Sequence, residues 1–169
     1  MGHCAENGIG LAFYTPNGRF LARVSGPVSG NVLLRRTQYR WADDLNQSRI
    51  LASQFVLGKV ANSRVVLQRA IREYQEDGDW SEVKKASDYL KNRYGPIENA
   101  KDLDILRGVE GESARTYFSV FDRLIRNQKE DFYFSERNRR PPMDRVNSLL
   151  SMLYSLLRHE MQSVLESVG

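Results

Sequence analysis

The chain has 169 residues, 41% hydrophobic and 27% charged, which fits one ordinary folded domain and excludes a disordered segment. Its 25 basic and 21 acidic residues give a net charge of +4, a mild excess compatible with nucleic acid but not diagnostic of it. No apolar run approaches a membrane span and no charged-then-apolar leader opens the chain; the single cysteine, Cys4, allows no internal disulfide, as expected in a reducing cytoplasm.

His3 beside Cys4 is a weak metal signal, because only one other histidine exists to join it. Residues 9 to 25 read as a β-hairpin. Ile9, Leu11 and Phe13, then Phe20, Ala22 and Val24, alternate with smaller or polar neighbours, and Pro16-Asn17-Gly18 between them favours a tight turn. A lone hairpin is marginal in water, so this one is expected to need more sheet from a partner chain or from preceding sequence. Gly26-Pro27-Val28-Ser29-Gly30 reads as a linker.

Everything after about residue 32 reads as helix. Ile50, Leu51, Phe55, Val56, Val60, Val65, Leu67 and Ile71 recur at near-helical spacing over 45 to 75, and Asp77-Gly78-Asp79 stops that helix. A shorter helix is expected over 81 to 93, a segment opened by Pro96 through Ile105, and another helix from Glu110 to Asn127. The last helix starts after Pro141-Pro142 with Asp144 or a neighbour as its cap, and its stripe runs from Val146 through Leu149, Leu153, Leu156 and Met161 to Leu165.

Glu110 stands out in this pattern. Ala114, Tyr117, Phe121 and Leu124 follow it at helical spacing, so a carboxylate heads an apolar stripe. A buried carboxylate needs a compensating charge, and a divalent metal, an arginine or a helix N-terminus would each supply one. The simpler alternative is a first-turn residue meeting the helix dipole in partial solvent. Farther on, Phe132, Tyr133 and Phe134 precede Arg137, Arg139 and Arg140. These aromatics either stack on bases while the arginines hold phosphates, or plug the core under a loop beside solvated arginines. Arg35, Arg36 and Arg40 form a second basic cluster, and His159 lies at the edge of the last helix's stripe, a boundary residue rather than a ligand.

Three motifs occur in order: Gly58-Lys59-Val60-Ala61-Asn62-Ser63-Arg64; Gly108-Val109-Glu110-Gly111 with Ala114-Arg115 and Tyr117-Phe118; and Arg140-Pro141-Pro142 with Asp144, Asn147 and Leu150-Ser151. Together they resemble the CRISPR-associated Cas-one family of spacer-capturing integrase-endonucleases, and the segment at 26 to 36 looks closest to its type I-C branch. The resemblance covers essentially the whole chain. It implies a mainly α fold, in which residues 1–32 are the end of an N-terminal β-rich domain and its linker, and 33–169 a helical catalytic-type domain.

It also implies metal-dependent DNA cleavage and strand joining in CRISPR adaptation, with Mg2+ or Mn2+ as cofactor. Double-stranded or branched DNA, a second copy of the chain and the small Cas-two protein would be its partners. Glu110 maps onto the family's metal-binding glutamate; Glu112 falls off the stripe and is expected to face solvent. Lys59, Asn62 and Arg64 match a family motif expected to contact DNA or to bond structurally near the site, and Arg115 either pairs with a carboxylate or reaches phosphate. Arg139 and Arg140 join the DNA-binding candidates from the basic cluster, while Tyr117 is expected in the core near the metal and Asn147 to orient site groups. The family's histidine and second acidic ligand normally follow the helix that carries Asn147, so the resemblance implies a chain truncated at both ends, holding one ligand of three and inactive alone. Two other outcomes stay open: a non-catalytic basic helical module for DNA binding or assembly, and a product that folds poorly because its hairpin edge is exposed.

Overall fold

The computed structural model describes residues 2–7, 9–16, 20–24 and 32–168. The expected tight turn at Asn17-Gly18 and the linker at 26–30 lie outside the described residues. A short helix α1 (Gly2–Glu6) precedes strands β1 (Leu11–Tyr14) and β2 (Phe20–Val24), which pair antiparallel with Leu11 opposite Val24 and an irregularity between Phe13 and Tyr14. Helices follow, as the periodicity predicts: α2 (Val32–Asp43), α3 (Leu45–Tyr74), α4 (Ser81–Lys91), α5 (Tyr94–Glu98), α6 (Leu103–Ser119), a 3₁₀ turn at Phe121–Leu124, and α7 (Arg145–Val168).

Aspartates start the three helices that matter for the site. Asp44 accepts from the amides of Asn46 (2.8 Å) and Gln47 (3.1 Å), Asp102 from that of Ile105 (2.7 Å), and Asp144 from that of Asn147 (2.6 Å). Each satisfies amide donors that a helix N-terminus leaves free, worth about 1 kcal/mol against alanine. The Asp102 cap corrects the expected boundaries. It starts α6 at Leu103, so Gly108 and Gly111 lie inside the helix instead of before it, and α6 ends at Ser119 instead of Asn127. As expected, α3 stops before Asp77-Gly78-Asp79, where Gly78 takes a φ of +125°.

The core forms where α3 crosses α4, α5 and α6. Val60 and Leu67 of α3 meet Val83, Ala86 and Leu90 of α4, Ile97 of α5 and Leu106 of α6, all nearly inaccessible. Truncating Leu67 or Leu90, each fully buried, costs about 2 to 5 kcal/mol by the usual measure for core leucines. The same helix departs from the expectation that no apolar run approaches a membrane span. A window of 18 residues within Leu45–Tyr74 reaches a mean hydropathy of 1.2, so α3 is long and apolar enough by composition to cross a membrane, although it serves here as the hub of a bundle.

Other apolar surface is left open. The expected stripe of α7 is real, but Leu149, Leu153, Leu156, Leu157 and Met161 along it are all exposed. The hairpin touches this helix through Tyr14, whose ring lies edge-on to Phe20 (5.9 Å) and to the half-buried His159 (6.0 Å).

Beyond α6 the chain is tied down by Asp122. One carboxylate oxygen accepts the Phe134 amide at 2.9 Å and the other meets Lys129 at 2.8 Å. Burial opposes the charged carboxyl, but these two contacts outweigh it and hold its pKa below the ordinary value. A folded value below the unfolded one, about 3.9, means the contribution is complete above that pH and lost as pH falls through the folded value. Acid unfolding followed by circular dichroism is therefore expected to show stability declining below about pH 4, with the decline shallower in Asp122→Asn.

Candidate functional site

Beside the core, α3, α6 and α7 enclose a groove of about 320 Å³. Its walls carry Lys59, Asn62, Ser63 and Val66 from α3, Glu110, Ser113, Ala114, Tyr117 and Phe118 from α6, and Tyr154 from α7. Four residues singled out from sequence, Lys59, Asn62, Glu110 and Tyr117, thus share one cavity, although Lys59 and Glu110 are 51 positions apart. Helical spacing accounts for the grouping. Glu110, Ala114 and Tyr117 share a face of α6, and Lys59 follows from placing its neighbour Val60 in the core.

Glu110 sits well inside α6, which rules out the first-turn alternative. Its carboxylate is compensated by a lysine, not by the arginine or helix terminus considered from sequence. Lys59 Nζ donates to Oε1 at 2.5 Å, with the lysine side chain 50% and the glutamate 36% exposed. At such exposure the pair contributes at most about 1 kcal/mol, so it neutralises the site without anchoring the fold. Glu112, as expected, is exposed, and it accepts from Tyr89 Oη at 3.3 Å on a different face of α6.

Tyr117 belongs to an aromatic cluster. Its ring meets Phe118 (5.4 Å) and Phe121 (5.6 Å) edge-on, and Phe134 closes on Phe121 at 5.0 Å. Phe134 is thus a core plug, while Tyr133 is exposed. Burial, with a smaller contribution from Tyr154, pushes the Tyr117 phenol above its ordinary pKa, so at neutral pH it is a hydrogen-bond donor.

A second pocket, about 550 Å³, lies across α6 and shares Ala114 and Phe118 with the groove. Arg115, Arg137 and Arg139 line it together with Glu136, Ser119 and Gly111. Arg115 and Arg139 are exposed. Arg64 and Arg140, grouped with them from sequence, line neither cavity; Arg64 instead has a buried Nε without a hydrogen-bond partner.

Tyr154 is not anticipated from sequence, and Arg137 is named there only as one of three arginines that would hold phosphates, not as a half-buried anchor of the pocket. Asn147, wholly buried, explains that anchor. Its Oδ1 accepts from Arg137 Nη1 (2.7 Å) and the Asn138 amide (3.1 Å), while its Nδ2 donates to the Glu136 carbonyl (2.9 Å) and Asp144 (2.6 Å). Arg137 also lies 5.6 Å from the Tyr154 ring. Burial first, and then the Arg139 charge, pull the Arg137 pKa down from its ordinary value. The helical repeat held a signal for Tyr154, which stands seven positions after Asn147 and so on the same side of α7.

A divalent ion suits this groove in kind but not in number. The oxygens on its walls are those of Glu110, Asn62, serines and two tyrosines, with Glu110 the one carboxylate, and no cluster of three metal-ligating side chains occurs among the described residues. Magnesium and manganese favour several oxygen ligands, so these residues do not by themselves complete a site.

The structure is thus a helical bundle that sets a lone groove carboxylate beside an arginine-lined pocket. The family model of CRISPR associated protein Cas1 matches residues 1–169, and the chain belongs to that family. It is 48% identical over 169 residues to the CRISPR-associated endonuclease Cas1 1 of Chlorobaculum tepidum, covering all of this chain and 49% of that protein. It is 47% identical over 173 residues to the corresponding Cas1 2 of Rhodospirillum rubrum, again covering all of this chain and 49% of its relative. The chain thus spans about half the length of these curated relatives. Among solved structures, a Cas6-RT-Cas1–Cas2 complex matches with a TM-score of 0.69 and 26% identity over 99% of this chain and 18% of that one. A casposase bound to integration product matches with 0.71 and 24% over 98% and 44%, a likeness of fold.

Asn147→Ala strands the Asn138 amide and removes one of the Arg137 acceptors. It is expected to lower stability by about 2 to 3 kcal/mol in urea melts, whereas Asn62→Ala on the open groove wall is expected to stay within about 0.5 kcal/mol.

Proposed function

We propose that this chain is the Glu110-bearing part of a metal-dependent DNA endonuclease-integrase of CRISPR adaptation, working on double-stranded or branched DNA in the cytoplasm. The observation that carries the reading is the convergence of the Gly-x-Glu-Gly glutamate with Lys59, Asn62 and Tyr117 in one groove, in a chain of the Cas1 family. The names of the solved relatives, one a Cas1–Cas2 complex and one a casposase on an integration product, support DNA and a Cas2 protein as partners. A second copy of the chain is the further partner in this reading.

In this reading Glu110 supplies one ligand to Mg2+ or Mn2+, and the remaining ligands come from outside the described residues. An ion held there would supply Lewis-acid polarisation of a phosphodiester. The chain's own contribution is to bind and orient DNA. Arg115 and Arg139 neutralise backbone phosphates, Asn62 and the protonated Tyr117 donate hydrogen bonds, and Asn147 holds Arg137 and its loop in place. Gly111 supports a ligand in the second pocket. A helix-interior glycine costs about 1 kcal/mol against alanine, and a Cβ there would meet nothing within 4 Å, so the wall stays flat for an approaching backbone.

The single carboxylate in the groove favours a second reading, a DNA-binding module that needs the rest of the assembly for chemistry. One experiment tests the incomplete site on which both readings rest: the purified chain with branched and linear DNA in manganese, beside Glu110→Ala. Salt-sensitive binding is expected without cleavage, and Arg115→Ala with Arg139→Ala should lower the slope of log K against log salt by about 2. Robust cleavage that disappears in Glu110→Ala would show a complete site and overturn the incomplete-site reading.

A further inference from the structure

The basic cluster of α2 lies outside both cavities described above. Arg35, Arg36 and Arg40 stand on a helix that buries no side chain, and none of the three guanidinium groups has a partner among the described residues. Beside them, α2 and the start of α3 form a cleft of about 320 Å³ lined by Gln38, Trp41, Gln47, Leu51 and Phe55. We infer that this cleft takes an unstacked base of single-stranded DNA, with the arginines of α2 on the neighbouring phosphates. The inference rests on the proposed function only in taking DNA as the ligand; it involves neither Glu110 nor an ion.

The chemistry of the lining selects a base over an apolar peptide. Trp41 is 44% and Phe55 70% exposed, so two helices hold out aromatic surface for stacking. Between them the Gln38 and Gln47 carboxamides have no side-chain hydrogen bond among the described residues. A base offers flat faces to the rings and polar edges to the amides, whereas an apolar segment would leave both amides unsatisfied. In a duplex those faces are already covered, so the ligand is a single strand. Arg35, three positions before Gln38, shares the cleft side of α2, and the exposed Tyr39 follows it by four.

The cleft is also built and placed for the task. The Trp41 carbonyl accepts from Ser48 Oγ at 2.9 Å and from the Asp44 amide at 3.3 Å, which fixes the elbow between α2 and α3. On α3, Leu51 and Phe55 of the cleft continue at helical spacing into Lys59, Asn62 and Val66 of the groove. One side of α3 therefore runs from the aromatic cleft to the groove, a path along which a strand anchored at Trp41 would reach Glu110.

The test uses the fluorescence of Trp41. The purified chain in EDTA is titrated with oligo-dT of about eight nucleotides, and separately with a blunt duplex, while anisotropy of labelled DNA reports binding. The chain has two tryptophans, and the other, Trp80, is held by the Tyr74 carbonyl. Quenching is expected with oligo-dT and not with the duplex, and it should vanish in Trp41→Phe, where Trp80 alone emits. Trp41→Ala and Phe55→Ala should each weaken oligo-dT binding about tenfold; Phe55, largely exposed, serves should Trp41→Ala not fold. Replacing Arg35, Arg36 and Arg40 together by Gln should lower the slope of log K against log salt by about 2. Binding without quenching, or undiminished in folded Trp41→Ala and Phe55→Ala, overturns the cleft and leaves DNA at the arginine pocket standing. Emission that changes with chain concentration in the absence of DNA also overturns it, because a second copy then covers the cleft. Failure to bind any DNA removes this inference and the proposed function together.

Discussion

One helix sets the terms for both stability and chemistry. On α3, Val60 and Leu67 point into the core against α4, α5 and α6, and the residues beside Val60 are thereby turned toward the groove. A helix advances about 100° per residue, so burying Val60 leaves Lys59 on one flank of the buried line and Asn62 and Ser63 near it on the wall of the cavity. The same packing brings α6 alongside and delivers Glu110 to Lys59. A slip of α3 by one residue would bury the lysine and expose the core, so the close packing that keeps Leu67 dry also fixes the charges of the site.

Much of this could be read from the chain. Helical spacing revealed the face that joins Glu110 to Ala114 and Tyr117, the 45–75 periodicity revealed α3, and Asp144 was visible as a cap because the following stripe needs a start. What failed was long-range or side-chain specific. Asp102 starts α6 earlier than expected, because one carboxylate accepting one amide outweighs the two interior glycines as a boundary signal. The partner of Glu110 lies 51 residues upstream, beyond the reach of any periodicity. Phe134 and Tyr133 are chemically alike in the sequence, yet one plugs the aromatic cluster and the other faces solvent; the Asp122–Phe134 hydrogen bond decides between them, and composition carries no trace of it.

The arginines around residue 140 divide in a way that their clustering conceals. Arg137 is spent internally, held by Asn147, the Asn138 carbonyl and the Tyr154 ring, and burial lowers its pKa. Arg139 and Arg115 stay exposed on the same pocket and are free to turn toward a ligand. A guanidinium locked by neutral acceptors keeps its charge without having it cancelled by a carboxylate. Arg137 therefore raises the potential of the pocket while contributing few donors of its own, and Arg139 and Arg115 supply the donors.

The two cavities are separated by little more than Ala114 and Phe118, which line both. This thin wall makes α6 a partition, with Glu110 and Lys59 on one side and Arg115, Arg137 and Arg139, with Glu136 among them, on the other. If the charges mixed, the arginines would pair with Glu110 and silence each other, as Lys59 already neutralises it from across the groove. Kept apart by one helix face, Glu110 keeps Lys59 as its partner and the exposed Arg115 and Arg139 stay on the other pocket. A larger residue at Ala114 would thicken the wall and lengthen the path between the two.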